Sequence, residues 1–285
     1  MSYSVSKAQW KKWADNICFM MRLKKKALFC VSNRLEAKMA ENAGAGGVIV
    51  VDATYPIEVE RLNNDSKMAK EKVVQGIMDS VAIPVFVRIH AGSEVECNAV
   101  SKMRADGVEE TELASAEAGY AVHVNKHKRK RPFICGASTL AEALRRVQEG
   151  ASMICIKGNA YDDHANPVQA IEDIERINRE IATAAAKAGN EQALRAYARE
   201  LCANYAMLKQ VAQLRRLQVP LFAAGCITQP SDAAHMMDMG CAGVVVSNLV
   251  FHAPNPARRA NAIVTAIQHP NDYSLLNALS ETVDD

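Results

Sequence analysis

The sequence predicts a single (β/α)8 barrel over residues 1–285, with an N-terminal helix ahead of the first strand and an extra helical insertion between strands six and seven. Three observations predict it. Eight short apolar runs recur along the chain, each bounded by turn residues, and helix-like segments separate them. The runs are apolar at consecutive positions rather than at alternate ones, as expected of a parallel sheet covered on both faces. A length of 285 residues at 49% hydrophobic composition suits one large core. An open doubly wound sheet is the competing architecture, but no GxGxxG follows a strand to support it.

Ahead of the first strand, "MSYSVSKAQWKKWADNICFMMRLKKK" carries only a short apolar patch between charges, too short for a signal segment or a membrane span, and reads as an amphipathic helix. The strands follow at 27–32 ("ALFCVS"), 46–53 ("GGVIVVDA"), 83–89 ("IPVFVRI"), 107–113 ("GVEETEL", the weakest), 132–136 ("PFICG"), 152–158 ("SMICIKG"), 220–225 ("PLFAAG") and 243–247 ("GVVVS"). Between them the helical pattern appears in "NRLEAKMAENAG", "MAKEKVVQGIMDSV", "EVECNAVSKMRAD", "SAEAGYAVHVNKH" and "TLAEALRRVQEG". It continues in "PVQAIEDIERINREIATAAAKAG", "PSDAAHMMDMG" and "NPARRANAIVTAIQ". The insertion reads as one extra helix over 190–218. The basic run "KHKRKR" (126–131) reads as a solvated turn at the bottom of the barrel, with a nuclear signal or an anion site as the other readings.

Composition narrows the partners. With 34 basic and 32 acidic residues the formal charge is +2, so no whole-molecule field argues for nucleic acid or an anionic membrane. Eight cysteines are scattered without a CxxC, several inside apolar runs, which points to reduced thiols and a cytoplasmic setting. The seven histidines show no HxH spacing and no pairing with cysteine, so no metal site is expected, and no cofactor is expected either.

In a barrel of this kind the chemistry sits at the C-terminal ends of the strands. Those ends offer Cys30 to Ser32, Asp52, Arg88 and His90, then Glu109, Glu110 and Glu112, then Lys157, Gly225–Cys226 and Ser247–Asn248. Alternation along strand six puts Met153, Cys155 and Lys157 on one face, and Ile154 and Ile156 on the other. With the first face inward, Lys157 stands in the barrel mouth, where a desolvated amine can attack a carbonyl to form a Schiff base. The alternative is a lysine held by a nearby glutamate as a structural ion pair.

From about Ala27 to Leu279 the chain resembles the synthase (lyase) subunits of glutamine-dependent pyridoxal 5′-phosphate synthase. The matching stretches are "EAKMAENAGAGGVIVV", "IPVFVR", "RPFICGASTLAEALRRVQEGASMICIKG", "LFAAGCITQPSDAAHMMDMGCAGVVVSNLVF" and "NPARRANAIVTAIQH". The resemblance implies a barrel that assembles into hexameric rings and dodecamers, takes ammonia from a glutaminase partner, and joins a pentose phosphate to a triose phosphate. It also implies two lysines that relay covalent intermediates. One matches Lys157. The other falls on Arg88 of "PVFVRIHAG", and a guanidinium stays protonated near neutrality and cannot form that imine.

Further departures surround the mouth. The family acid at the end of strand one lands on Cys30, family arginines align with Ser138 and Cys155, and the acid of strand four matches Glu109 or Glu110, where the alignment slips by one. The glycine-rich phosphate loop after strand six is replaced by "KGNAYDDHA", whose Asp162 and Asp163 would repel a phosphate. Glycines after strands seven and eight become Cys226, Ser247 and Asn248.

These losses beside a retained core pattern point to a non-catalytic paralogue that acts by ring assembly, alone or with active synthase subunits, in which Lys157 is a remnant. A Schiff-base lyase with one lysine and a different carbonyl substrate, and a residual pyridoxal phosphate synthase, are the other readings. The altered "CFMMRLKKKALF" before strand one suggests weakened glutaminase docking. The methionine-rich segment with Met236, Met237 and Met239 is the expected source of assembly surface.

Overall fold

The computed structural model describes residues 6–52, 68–111, 123–158 and 167–284. Helix α1 (Lys7–Met21) opens on a capping box, with the Ser6 hydroxyl accepting from the Gln9 amide and the Gln9 side chain accepting from the Ser6 N–H. There follow β1 (Ala27–Val31), α2 (Arg34–Asn42), β2 (Gly47–Val50), α3 (Glu71–Met78), β3 (Val85–His90), α4 (Glu94–Met103) and β4 (Gly107–Thr111). A 3-10 turn at Lys126–Lys128 leads into β5 (Phe133–Gly136), α5 (Leu140–Gln148), β6 (Met153–Ile156) and α6 (Val168–Ala186). Helices α7 (Glu191–Glu200) and α8 (Tyr205–Leu214) precede β7 (Leu221–Ile227), α9 (Pro230–Asp238) and β8 (Gly243–Val246). The chain finishes with a 3-10 turn at Asn248–His252, α10 (Pro256–Gln268) and α11 (Tyr273–Asp284).

All eight strands pair in parallel and in sequence order, and β1 closes on β8. The expected barrel is present, with every strand where the apolar runs placed it. Its residues divide into two layers by the two-residue period of the strands. Leu28, Ile49, Phe86, Ile134, Met153 and Phe222 fill the interior, while Phe29, Val48, Val87, Phe133, Ile154 and Ala223 face the helices. Met20 and Leu23, at and just beyond the end of α1, join the interior set and plug the bottom of the barrel. The filling is matched large to small across neighbouring strands: Phe86 lies opposite Gly107, and a Cβ there would come within 2.5 Å of the Phe86 ring.

Several expectations needed correction. The insertion is two helices, because the chain turns at Cys202, which adopts a left-handed φ of 52°, and restarts at Asn204, whose side chain caps α8 through the Ala206 and Met207 amides. The segment expected to be helical at 115–127 lies largely outside the described residues, and its last part is extended before the 3-10 turn. The basic run is no solvated turn at its start, since Lys126 and His127 are buried. Met236 belongs to the core, while Met237 and Met239 pack against it and stay partly exposed. Helix α11 was not foreseen from the sequence.

Candidate active site

The barrel mouth holds four of the singled-out side chains in one cluster. Parallel registry sets Arg88 of β3 directly opposite Glu109 of β4, and Arg88 Nε donates to Glu109 Oε2 at 2.6 Å. Lys157, just beyond β6, brings Nζ to 3.1 Å from Glu109 Oε1. Arg88 Nη2 also reaches Cys30 Sγ at 3.5 Å. Glu109 is fully buried, and the two cations are mostly so, with side-chain exposures of 20% for Arg88 and 13% for Lys157. Met153 and Cys155 point inward as alternation predicts, and Ile154 and Ile156 point outward, so Lys157 does stand in the mouth.

The electrostatics of this cluster are set by burial and by the two cations. Burial works against the charge of Glu109, but Arg88 and then Lys157 outweigh it and hold the carboxyl down at about 2. Burial pushes the Cys30 thiol up to about 11 and the Cys155 thiol up to about 12, so neither offers a ready thiolate. Among the described residues this cluster thus holds the Glu109 carboxylate fixed between Arg88 and Lys157, beside two inert thiols.

Glu110, the other acid of strand four, faces away from the mouth. Its Oε1 accepts from the Gly92 and Val124 amides at 3.0 and 2.8 Å, and its Oε2 lies 2.5 Å from Lys126 Nζ and 3.2 Å from His123 Nδ1. Lys126 in turn sits 3.5 Å from Glu149, which contacts Arg146 at 3.3 Å. Burial disfavours the Lys126 charge, yet the facing Cys135, Glu110 and Glu149 more than offset it and raise its pKa. Alternation separates two adjacent glutamates into two environments: Glu109 serves the mouth and Glu110 ties the barrel wall to the segment beneath it.

The remaining rim positions are occupied by the protein's own groups. Ser138 donates its N–H and its hydroxyl to Glu142 Oε2, each at 2.8 Å. The Ser247 hydroxyl accepts from the Leu249 amide at 3.3 Å, capping the 3-10 turn that contains Asn248. Gly225 and Cys226 both adopt positive φ, 95° and 57°, so the cysteine occupies a left-handed position that favours glycine. Asp162, Asp163 and Glu112 lie outside the described residues.

One rim device went unread in the sequence. Glu36, Glu96 and Glu142 each stand three residues after an N-cap, Asn33, Ser93 and Thr139, and each carboxylate reaches back to a strand-end amide. Glu36 takes the Ser32 N–H at 2.6 Å, Glu96 the His90 N–H at 2.7 Å, and Glu142 the Ser138 N–H. The signal was the repeated cap-x-x-Glu spacing in "NRLE", "SEVE" and "TLAE". It fills, with the protein's own carboxylates, backbone donors at the ends of β1, β3 and β5.

Among the described residues no group of three or more His, Cys, Asp or Glu could hold a metal ion, and no helix is long and apolar enough to cross a membrane. The model of the SOR/SNZ family matches residues 14–224, and that of the thiazole biosynthesis protein ThiG matches residues 198–275. The chain is 38% identical over 263 residues to pyridoxal 5′-phosphate synthase subunit pyroA of Emericella nidulans, covering 91% of this chain and 85% of that one. It is 39% identical over 268 residues to subunit PDX1 of Cercospora nicotianae, covering 94% and 76%. It is 37% identical over 251 residues to subunit PdxS of Bacillus cereus strain Q1, covering 88% and 83%.

Proposed function

Because the chain belongs to the SOR/SNZ family, and its relatives are named as pyridoxal 5′-phosphate synthase subunits, we propose that it serves vitamin B6 biosynthesis as a non-catalytic member acting through assembly. The observation that carries the reading is the Arg88–Glu109–Lys157 cluster. The chemistry implied by the resemblance needs two amines that form imines, and a guanidinium at the first position supplies none. Glu109 adds a second argument. A general acid works best with a pKa near the operating pH, and a carboxyl held at about 2 stays a carboxylate that cannot donate a proton.

The rim supports the same reading. Strand-end amides there are taken by the carboxylates of Glu36, Glu96 and Glu142, and the Leu249 amide by the Ser247 hydroxyl. The chain acts as a homo-oligomer, a hexamer or dodecamer, alone or mixed with active synthase subunits, and binds a glutaminase poorly. Eight cysteines free of disulfides favour a cytoplasmic setting.

A second reading rests on Lys157 itself, an amine positioned in the mouth beside a carboxylate, which suits a Schiff-base lyase with another carbonyl substrate. One experiment separates the readings. The purified assembly is incubated with ribose 5-phosphate, glyceraldehyde 3-phosphate and ammonia, with and without borohydride. The proposal expects no pyridoxal phosphate and an unchanged intact mass. A borohydride-trapped adduct on Lys157 without product supports the lyase, and product above a protein-free blank overturns the non-catalytic reading.

A further inference from the structure

At the opposite end of the barrel from the mouth, the structure contains a cavity of about 660 Å³. Its position follows from the chain: Val219 and Pro220 precede β7, Gly240 and Ala242 precede β8, and Lys24 precedes β1, so it opens at the N-terminal ends of the strands. The space exists because the walls are small. Ala182, Ala185 and Ala186 face it from the last turns of α6, and Gly240 across from them, where a Cβ would meet nothing within 4 Å, leaves the mouth of the cavity open.

The floor is apolar, formed by Ile181, Leu217 and Val219, each buried. The rim is cationic, with Lys24, Arg215 and Arg216 and no carboxylate in the lining. The insertion builds this rim. Helix α8 ends at Arg215 in a left-handed conformation, φ 54°, which turns the chain sharply and places two arginines side by side above the floor. Arg216 donates to the Leu217 carbonyl at 3.2 Å, which directs its guanidinium over the cavity edge.

The absence of acids here is not general to these helices. On α6 itself Arg176 pairs with Asp173 and Arg179 with Glu175, and on α7 Arg195 pairs with Glu191. Lys24, Arg215 and Arg216 form no ion pair among the described residues. Three such cations around an apolar floor leave a local positive field with nothing in the lining to balance it. A volume in this range is that of small-molecule sites, which combine an apolar lining with a few placed polar groups.

We propose that this cavity binds a small organic anion with an apolar body, the anionic group held by Lys24, Arg215 and Arg216 and the body resting on Ile181, Leu217 and Val219. The site is separate from the mouth and stands whether or not Lys157 is reactive. Its ligand chemistry is that of an aryl or short acyl carboxylate or sulfonate, and not a bare inorganic ion, which would leave the floor uncovered.

The test uses 8-anilinonaphthalene-1-sulfonate as an aromatic anion and the neutral N-phenyl-1-naphthylamine as its uncharged counterpart, titrated by fluorescence into the full-length protein. The anion is expected to bind saturably. Combining Lys24→Gln, Arg215→Gln and Arg216→Gln should weaken it about tenfold or more while leaving the neutral probe within about twofold. Ala182→Trp, which fills the space, should abolish both. These positions are exposed or half-exposed, so circular dichroism should show an intact fold. No saturable anion binding, an affinity unchanged in the triple variant, or binding that survives Ala182→Trp each overturns the proposal.

Discussion

Arg88 and Glu109 face each other across the β3–β4 ladder as registered partners, and against the cost of burial their 2.6 Å contact is the main support of the Glu109 charge. Glu109 is fully buried, so removing its cation leaves a carboxylate with one partner instead of two. Arg88→Met should therefore destabilise the fold by about 3 kcal/mol, measured by urea unfolding at neutral pH. The pH dependence has a definite sign. The folded pKa of Glu109, about 2, lies below the ordinary value of 4.5, so its stabilisation is present above that value and is lost as pH falls toward 2. Roughly 3 kcal/mol should disappear over that window in the wild type and much less in Arg88→Met. Equal acid sensitivity in the two proteins would contradict this electrostatic account.

Arg88→Lys supplies a second amine to the mouth but should not produce pyridoxal phosphate. The glycine-rich phosphate loop that the resemblance implies after β6 reads "KGNAYDDHA" here, and Cys226, Ser247 and Asn248 stand where glycines are expected. Steady absorbance at the product wavelength over hours, against an active family member as positive control, checks this. Any turnover would show that the missing lysine alone silenced the site.

Much of this was legible in the sequence. Strand alternation put Lys157 on the face of Met153 and Cys155 and Ile156 on the other, because the period of two is fixed by backbone geometry, and the structure turns the first face inward. The strand-four ambiguity was not resolvable that way: Glu109 and Glu110 are both fully buried, and polarity marks neither as the inward one. Only registry with Arg88 on one side and the Lys126 contact on the other separates them. The basic run was misread for a related reason. Local charge predicts solvent, yet Lys126 finds Glu110 across a sequence gap that composition cannot see, and pairing removes most of the cost of its burial. The break in the insertion was signalled only by Asn204, a cap residue inside an otherwise helical pattern.

Cys226 carries a conformational cost that can be measured. A non-glycine residue at φ 57° is strained by about 1–2 kcal/mol, while glycine loses about 0.4–1 kcal/mol through greater freedom in the unfolded chain. Cys226→Gly should thus raise stability by up to about 1 kcal/mol, a shift of about 2–4 °C in melting temperature. Cys226→Val, with a branched Cβ at the same φ, should lower it. The opposite ordering in a thermal melt would show that the thiol's contacts outweigh backbone strain.

Lys126 is the test of the network beneath the wall. Its ammonium is buried at 2.5 Å from Glu110, whose other oxygen is bound by two amides. Lys126→Met leaves that buried carboxylate without its lysine partner and should cost about 3–5 kcal/mol, whereas Lys126→Met with Glu110→Gln should recover part of the loss. Denaturant midpoints for the two single variants and the pair close the cycle, and simple additivity would mean that the two groups act independently.

The assembly we propose must use surface that the subunit does not bury for itself. Met236 fails that requirement, being fully buried. Leu35, Val73 and Val95 meet it: each lies in the first turn of its helix, α2, α3 and α4, with exposures of 70%, 37% and 81%. These helices are packed side by side, α2 on α3 and α3 on α4, so the three apolar side chains fall along one edge of the barrel's upper rim. A stable interface buries roughly 1,000 Å² or more, and an exposed aliphatic row is where a charge would be most damaging to it. Leu35→Glu combined with Val95→Glu should reduce a ring to monomers or dimers by light scattering at micromolar concentration. Because both residues are already solvent-facing in the subunit, the melting temperature of the isolated chain should change little. A wild-type protein that is itself monomeric would refute the assembly reading outright, and an intact ring in the double variant would place the contact on another face.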